Sequence, residues 1–186
     1  PQGSIEYPVS ACAFALGSGA RFVARSIDTL QAHLVPTLKR AHAHRGASFV
    51  EILQNCVVFN DAVFDHITGK EVAPEAQVLV EHGKPLLFGK NKEKGLRLKP
   101  GKLELEIVTL GDRITAADVL VHDETNRPLA QLLATLEPPF PTAMGVLYCN
   151  PAVPYEQEVH AQVAAARGIG DLDALLNSER TWEVTS

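Results

Sequence analysis

Residues 21–26 read RFVARS and residues 48–56 read SFVEILQNC, and what joins them decides the fold. Both runs have the length and apolar content of buried strands. Between them Leu30, Leu34, Leu38 and Ala41 recur at three- and four-residue spacing, the signature of one helix face. Asp28 and Thr29 are candidate N-caps for this helix, Pro36 should kink it or mark its start, and Gly46 is a natural stop. Strand, helix and strand in that order predict a right-handed βαβ unit in a parallel sheet. Ligands of such sheets gather beyond the carboxyl ends of the strands. That end delivers Gln54, Asn55 and Cys56, and just after them Asn60 and Asp61.

Outward from this unit, residues 11–17 form a short apolar, helix-compatible run closed by Gly17 and Gly19. After about residue 65 the chain breaks into shorter pieces at Gly69-Lys70, Pro74, Gly83-Lys84-Pro85 and the basic stretch 90–95. Short strands are predicted at 86–88, 96–98 and 103–109, with a Pro100-Gly101 turn between the last two. A helix is predicted over 129–136 up to Pro138-Pro139, a strand over 145–149, and helices over 155–166 and 172–176. The predicted division is residues 1–65 as an α/β unit and residues 66–186 as an extension.

Composition narrows the function. Of 186 residues, 46% are hydrophobic, enough for one substantial core. Charged residues make up 21% and the net charge is −5, which gives no single-sign field for nucleic acid or an anionic membrane. No apolar run approaches the ~20 residues that cross a bilayer, so a soluble protein without a membrane partner is expected. Nothing at the N-terminus reads as a secretory signal, and the missing start methionine suggests a fragment, a processed chain or a subunit without its first part. Three separated cysteines, Cys12, Cys56 and Cys149, argue against a disulfide framework and for a reducing cytoplasm.

Several residues invite a chemical role, each beside a plainer one. Cys56 follows a core strand and precedes a polar turn, where a thiolate can face a cavity or ligate a metal; it can equally be an ordinary buried cysteine. Cys12 and Cys149 lie in apolar runs and read as core residues. His33, His42 and His44 do not make a metal set, since positions i and i+2 do not share a helix face, and they read as solvated. His122, Asp123 and Glu124 form an acid-base cluster whose alternative is a turn or helix cap. Gly17-Ser18-Gly19 lacks the full glycine pattern of a phosphate cradle and reads as a tight turn. The basic run 90–94 is either a solvated loop or a patch that steers an acidic electron-transfer protein.

Further segments carry a resemblance. Tyr7-Pro8, residues 15–25 (ALGSGARFVAR), 38–44 (LKRAHAH), 48–56, 59–61 (FND) and 82–90 (HGKPLLFGK) resemble, in order, the beta subunits of two-subunit 2-oxoacid:ferredoxin oxidoreductases, the 2-oxoglutarate branch above all. The resemblance implies oxidative decarboxylation of a 2-oxoacid with CoA, giving an acyl-CoA, carbon dioxide and reduced ferredoxin. It implies thiamine diphosphate with Mg2+ and a four-iron four-sulfur (4Fe-4S) cluster as cofactors. Three cluster cysteines in this family precede the matched region, and a fourth matches Cys56, which is thereby carried over as a metal ligand. Asn55 and the backbone beyond Cys56 are expected to supply hydrogen-bond donors to it. The Gly-Asp-Gly-Asp motif for magnesium and diphosphate does not occur in the 186 residues.

The fold implied is α/β: the C-terminal half of a thiamine-diphosphate-binding doubly wound parallel sheet domain (1–65), plus a smaller irregular C-terminal extension (66–186) that contacts the alpha subunit. The partners implied are the alpha subunit, the missing N-terminal part of the beta subunit and ferredoxin, and the chain alone is expected to be inactive.

Overall fold

A computed structural model describes residues 5–166, 168, 170–178, 182 and 184. Its first strand forms where the sequence reading places it. Helix α1 (Ala11–Gly17) is capped by the Ser10 hydroxyl, and Gly19, at φ +90°, turns the chain into strand β1 (Phe22–Ile27). Every residue of β1 is buried, which makes it a core strand. Helix α2 (Gln31–Ala43) then crosses to β2 (Phe49–Leu53), which lies parallel to β1 in the register Arg25 opposite Glu51. The βαβ unit is thus as expected.

One local expectation for α2 is corrected, and Pro36 is found not to mark the helix start. The N-cap of α2 is Leu30, without a side-chain cap; the Asp28 amide is taken by the Leu53 carbonyl and ties the end of β1 to β2. Pro36 lies inside the helix, where the Thr37 hydroxyl bonds the His33 carbonyl at 2.8 Å.

Two short helices, α3 (Asp65–Thr68) and α4 (Ala73–Ala76), lead to β3 (Gln77–Val80), a strand the sequence reading does not contain. Strands β4 (Leu87–Phe88), β5 (Lys94–Leu98) and β6 (Leu105–Thr109) form a separate antiparallel sheet, with Pro100-Gly101 at the β5–β6 turn. Helix α5 (Arg127–Ala134) is capped by the Asn126 side chain and buries Leu129, Ala130, Leu133 and Ala134. Strand β7 (Thr142–Cys149) then enters the first sheet, whose order is β2-β1-β7-β3. It runs antiparallel to β1 and parallel to β3, so the sheet is mixed.

This insertion overrides the expected boundary after residue 65. Strands from both sides of that position share one sheet and one core, and the compact unit runs from Pro1 to Ala152. The cause is β7, whose Ala143, Met144 and Leu147 are fully buried. The second unit, Val153–Ser186, carries α6 (Tyr155–Ala166) and α7 (Leu172–Leu176), the latter capped by the Asp171 carboxylate.

Candidate functional site around Cys56

The site lies just beyond the carboxyl end of β2, where Leu53 is held to Asp28 and the chain leaves the sheet. Two side chains pin the base of the following loop. Asn55 donates its amide to the Asp61 carboxylate at 2.8 Å, and the Ala62 amide donates to both Asn55 and Asp61 at 2.9 Å. Inside this clamp the Asn60 amide closes on the Cys56 carbonyl at 2.9 Å. Ala62 completes the turn at φ +60°, a left-handed conformation held by those bonds.

The tight loop turns backbone N–H groups toward the Cys56 sulfur. Donors from Phe59, Val58 and Asn60 hold its thiol below the ordinary cysteine range, because they stabilise the thiolate. Cys56 is exposed, so it is not the buried core cysteine that was one of its two readings. The donors come from the backbone beyond Cys56, as expected, whereas the Asn55 amide is engaged elsewhere. Around the sulfur the loop presents Val57, Val58 and Phe59, exposed to 74%, 77% and 89%. An exposed thiol whose thiolate form is favoured is chemically compatible with a soft metal.

The other two thiols differ. Cys12 is fully buried, donates to the Glu51 carboxylate at 3.3 Å, and burial pushes its pKa up to about 12. Burial and the Glu124 charge also raise Cys149. Among the described residues no three His, Cys, Asp or Glu come together to hold a metal ion. Cys56 by itself offers a metal a single thiolate.

The acid-base cluster resolves into structure. His122 is 1% exposed, and its Nε2 lies 2.8 Å from the Val146 carbonyl, so Nε2 carries the proton. Its Nδ1 finds no partner among the described residues. Glu124 pairs with Arg40 at 2.8 Å, and Asp123 accepts from the Thr125 amide and hydroxyl, the turn role. Nor are all the helix histidines solvated. His33 Nδ1 meets the Ser26 hydroxyl at 2.8 Å, and His44 tilts against the Phe22 ring at 5.4 Å, because α2 lies on β1. The Gly17-Ser18-Gly19 segment is the tight turn expected, and in the basic run Lys94 belongs to β5 and pairs with Glu75.

His122 gives the fold a pH dependence. Burial lowers its pKa, since protonating Nδ1 would place an N–H where no acceptor lies. The unfolded chain then binds more protons than the folded one below about pH 6.5, and stability falls as the pH drops through that value. His33 and His44, lowered by burial too, act in the same sense. Urea unfolding at pH 7.5 and 5.5 is expected to show the lower midpoint at pH 5.5, and His122→Gln should reduce the difference. An equal difference in the variant would remove His122 as a cause.

One polar pair escapes the sequence reading. Arg25 and Glu51 sit at register-matched positions on β1 and β2 and pair at 2.6 Å. Their signal was an opposite charge at the same depth in two successive apolar runs.

Comparisons with known proteins show what the chain is similar to. No protein-family model matches the chain. The 2-oxoglutarate oxidoreductase subunit KorB of Mycobacterium tuberculosis is 36% identical over 193 aligned positions, covering 99% of this chain. Over nearly its whole length the chain is similar to a beta subunit of this oxidoreductase type. It spans 51% of KorB, about half the length of that relative. Beta subunits of 2-oxoacid:ferredoxin oxidoreductases from Aeropyrum pernix and Saccharolobus solfataricus are 38% and 34% identical over 61 residues, a third of this chain and about a fifth of each relative. The fold agrees with a solved 2-oxoglutarate:ferredoxin oxidoreductase from Magnetococcus marinus, determined with 2-oxoglutarate, coenzyme A and succinyl-CoA bound. The TM-score is 0.59 at 18% identity, over 95% of this chain and 46% of that one. Among the described residues no helix is long and apolar enough to cross a membrane.

Proposed function

We propose that this chain is the C-terminal part of a beta subunit in a 2-oxoglutarate:ferredoxin oxidoreductase, and that Cys56 supplies one ligand to its 4Fe-4S cluster. The overall reaction is oxidative decarboxylation of the 2-oxoacid with CoA, giving an acyl-CoA, carbon dioxide and reduced ferredoxin. The observation that carries the reading is the exposed Cys56 sulfur with backbone N–H groups aimed at it, at the carboxyl edge of a parallel strand pair.

Such a cluster, when bound, takes up and passes on single electrons. The part of this chain is to hold the sulfur. The strand end and the Asn55–Asp61 clamp fix its position, and the backbone donors favour its thiolate form and tune the potential. The apolar loop tip excludes water once covered. The residues present do not fit thiamine diphosphate: the Gly-Asp-Gly-Asp stretch is absent, and no cluster of carboxylates offers a magnesium site among the described residues. No step is assigned to this chain through that cofactor, and the chain alone is inactive. Its partners are the alpha subunit, the N-terminal part of the beta subunit and ferredoxin, in a reducing cytoplasm where Cys12 and Cys149 stay free thiols.

The test is iron content and visible absorption of the full-length subunit, purified without oxygen together with its co-purifying chains. The parent protein is expected to show iron-sulfur absorption, and Cys56→Ser to lose most of it together with ferredoxin reduction. Full iron loading in Cys56→Ser would refute the ligand assignment. An iron-free parent assembly would point instead to a binding or assembly domain derived from this fold.

A further inference from the structure

A cleft of about 530 Å³ lies over β3, between the α3–α4 segment and the loops that flank β4. Alternate residues of β3 supply its floor: Gln77, Leu79 and Glu81 face the cleft, and Val78 and Val80 turn into the core. Because β3 is parallel to β7, and β7 antiparallel to β1, the start of β3 lies at the sheet edge where β1 ends. Leu30, just after β1, lines the cleft at that end. Ligands of α/β sheets collect at this edge.

The charge of the cleft runs against that of the chain, whose net charge is −5. Among the described residues, Lys70, Lys84 and Lys92 line it beside a single carboxylate, Glu81. None of these three lysines forms an ion pair among the described residues, whereas the neighbouring Lys94 is taken by Glu75. Lys92 stands at φ +56°, a left-handed conformation that a residue with a side chain rarely adopts. Its loop is pinned by the Gly89 amide on the Pro74 carbonyl at 2.7 Å, the Lys92 amide on the Gly89 carbonyl at 3.0 Å, and the Asn91 amide on the Glu93 carboxylate at 2.7 Å. A merely solvated loop gains nothing from lysine at a position where glycine is unstrained, so the side chain itself is the reason for it. The other walls are apolar, led by Leu79, Leu87 and Pro74. A concave site of roughly 300–1,000 Å³ with apolar walls and a few converging charged groups is the form of a small-molecule pocket.

We propose that this cleft binds a nucleotide-type polyanion, its phosphates held by Lys70, Lys84 and Lys92 and its base laid against Leu79 and Leu87. Inorganic phosphate would leave the apolar walls unused. Two sources carry the group, a free nucleotide such as ATP and the nucleotide end of CoA, and only the second rests on the proposed function.

Lysine acylation footprinting of the assembled oxidoreductase, read by mass spectrometry, tests this on the unaltered protein. With ATP or CoA at about ten times its Kd, labelling of Lys70, Lys84 and Lys92 is expected to slow about tenfold. Labelling of Lys102, exposed on the β5–β6 turn and outside the cleft, is expected to stay unchanged. Protection by both probes, with a raised KM for CoA and an unchanged kcat when Lys84→Gln and Lys92→Gln are combined, assigns the cleft to CoA. Protection by ATP with an unchanged KM for CoA assigns it to a separate nucleotide. Unaltered labelling with both probes would overturn the proposal, and so would equal protection by inorganic phosphate, which leaves only an anion patch. Lysines already unreactive without a probe would give the cleft to a partner chain, and protection by ferredoxin alone would give it to that acidic protein; either result also removes the nucleotide. Iron measured on the same sample separates this proposal from the cluster assignment. Protection in an iron-free assembly keeps the cleft and removes the cluster, and an iron-loaded assembly without protection does the reverse.

Discussion

Arg25→Ala is expected to destabilise the 1–152 unit by about 3–5 kcal/mol, the range found when one partner of a buried ion pair is deleted. Arg25 is 7% exposed and uses its whole guanidinium. Nε meets Glu51 at 2.6 Å, Nη2 donates to the Ala134 carbonyl at 3.2 Å, and Nη1 to the Ala143 carbonyl at 3.5 Å. One side chain thereby links β1, β2, β7 and the end of α5. Removing it strands the Glu51 carboxylate, whose side chain is 22% exposed, against the Cys12 thiol, and takes one donor each from the Ala143 carbonyl and from the Ala134 carbonyl, which keeps the Ser10 hydroxyl. Arg25→Lys should recover only part of the loss, because a single ammonium cannot reach three acceptors in the guanidinium plane. Arg25→Met combined with Glu51→Leu should recover more, since a well-packed apolar pair carries no stranded charge. Urea unfolding of the three variants checks this. A loss under about 1 kcal/mol for Arg25→Ala would place the pair among surface ion pairs of little weight.

Gly145→Ala is expected to cost roughly 3 kcal/mol from backbone strain and steric overlap, a fall in Tm of roughly 6–12 °C for a unit of this size. Gly145 lies at φ +132°, a region that side-chain-bearing residues rarely adopt. A Cβ there would overlap the Val80 carbonyl oxygen, and that oxygen belongs to the backbone of β3 and cannot swing away. Gly145 is also the register partner of Arg25 on the other side, so the clash is held from both neighbouring strands. Differential scanning calorimetry of the variant measures the effect. An unchanged Tm would mean that β3 and β7 are not in this close register.

The sequence by itself determined the β1–α2–β2 unit, the position of Cys56 beyond its carboxyl end, the short strands of the second sheet and the two C-terminal helices, because each is written in contiguous residues: an apolar run, a helical period, a Pro-Gly turn. It also carried the family resemblance, which assigned a role to a cysteine that spacing alone left between ligand and core residue. The tertiary structure alone decided what depends on residues far apart in the chain. Residues 77–80 make too short a run to register as a strand until β7 lies beside them, and β7 joins β1 more than a hundred residues after it, which erases the expected boundary at residue 65. The buried state of His122 follows from the Val146 carbonyl, and the link from Arg25 to Ala134 and Ala143 follows from the return of α5 and β7. The lowered thiol of Cys56 likewise needed a loop closed on itself, since hydrogen-bond donors act through their direction in space and a sequence records only their order.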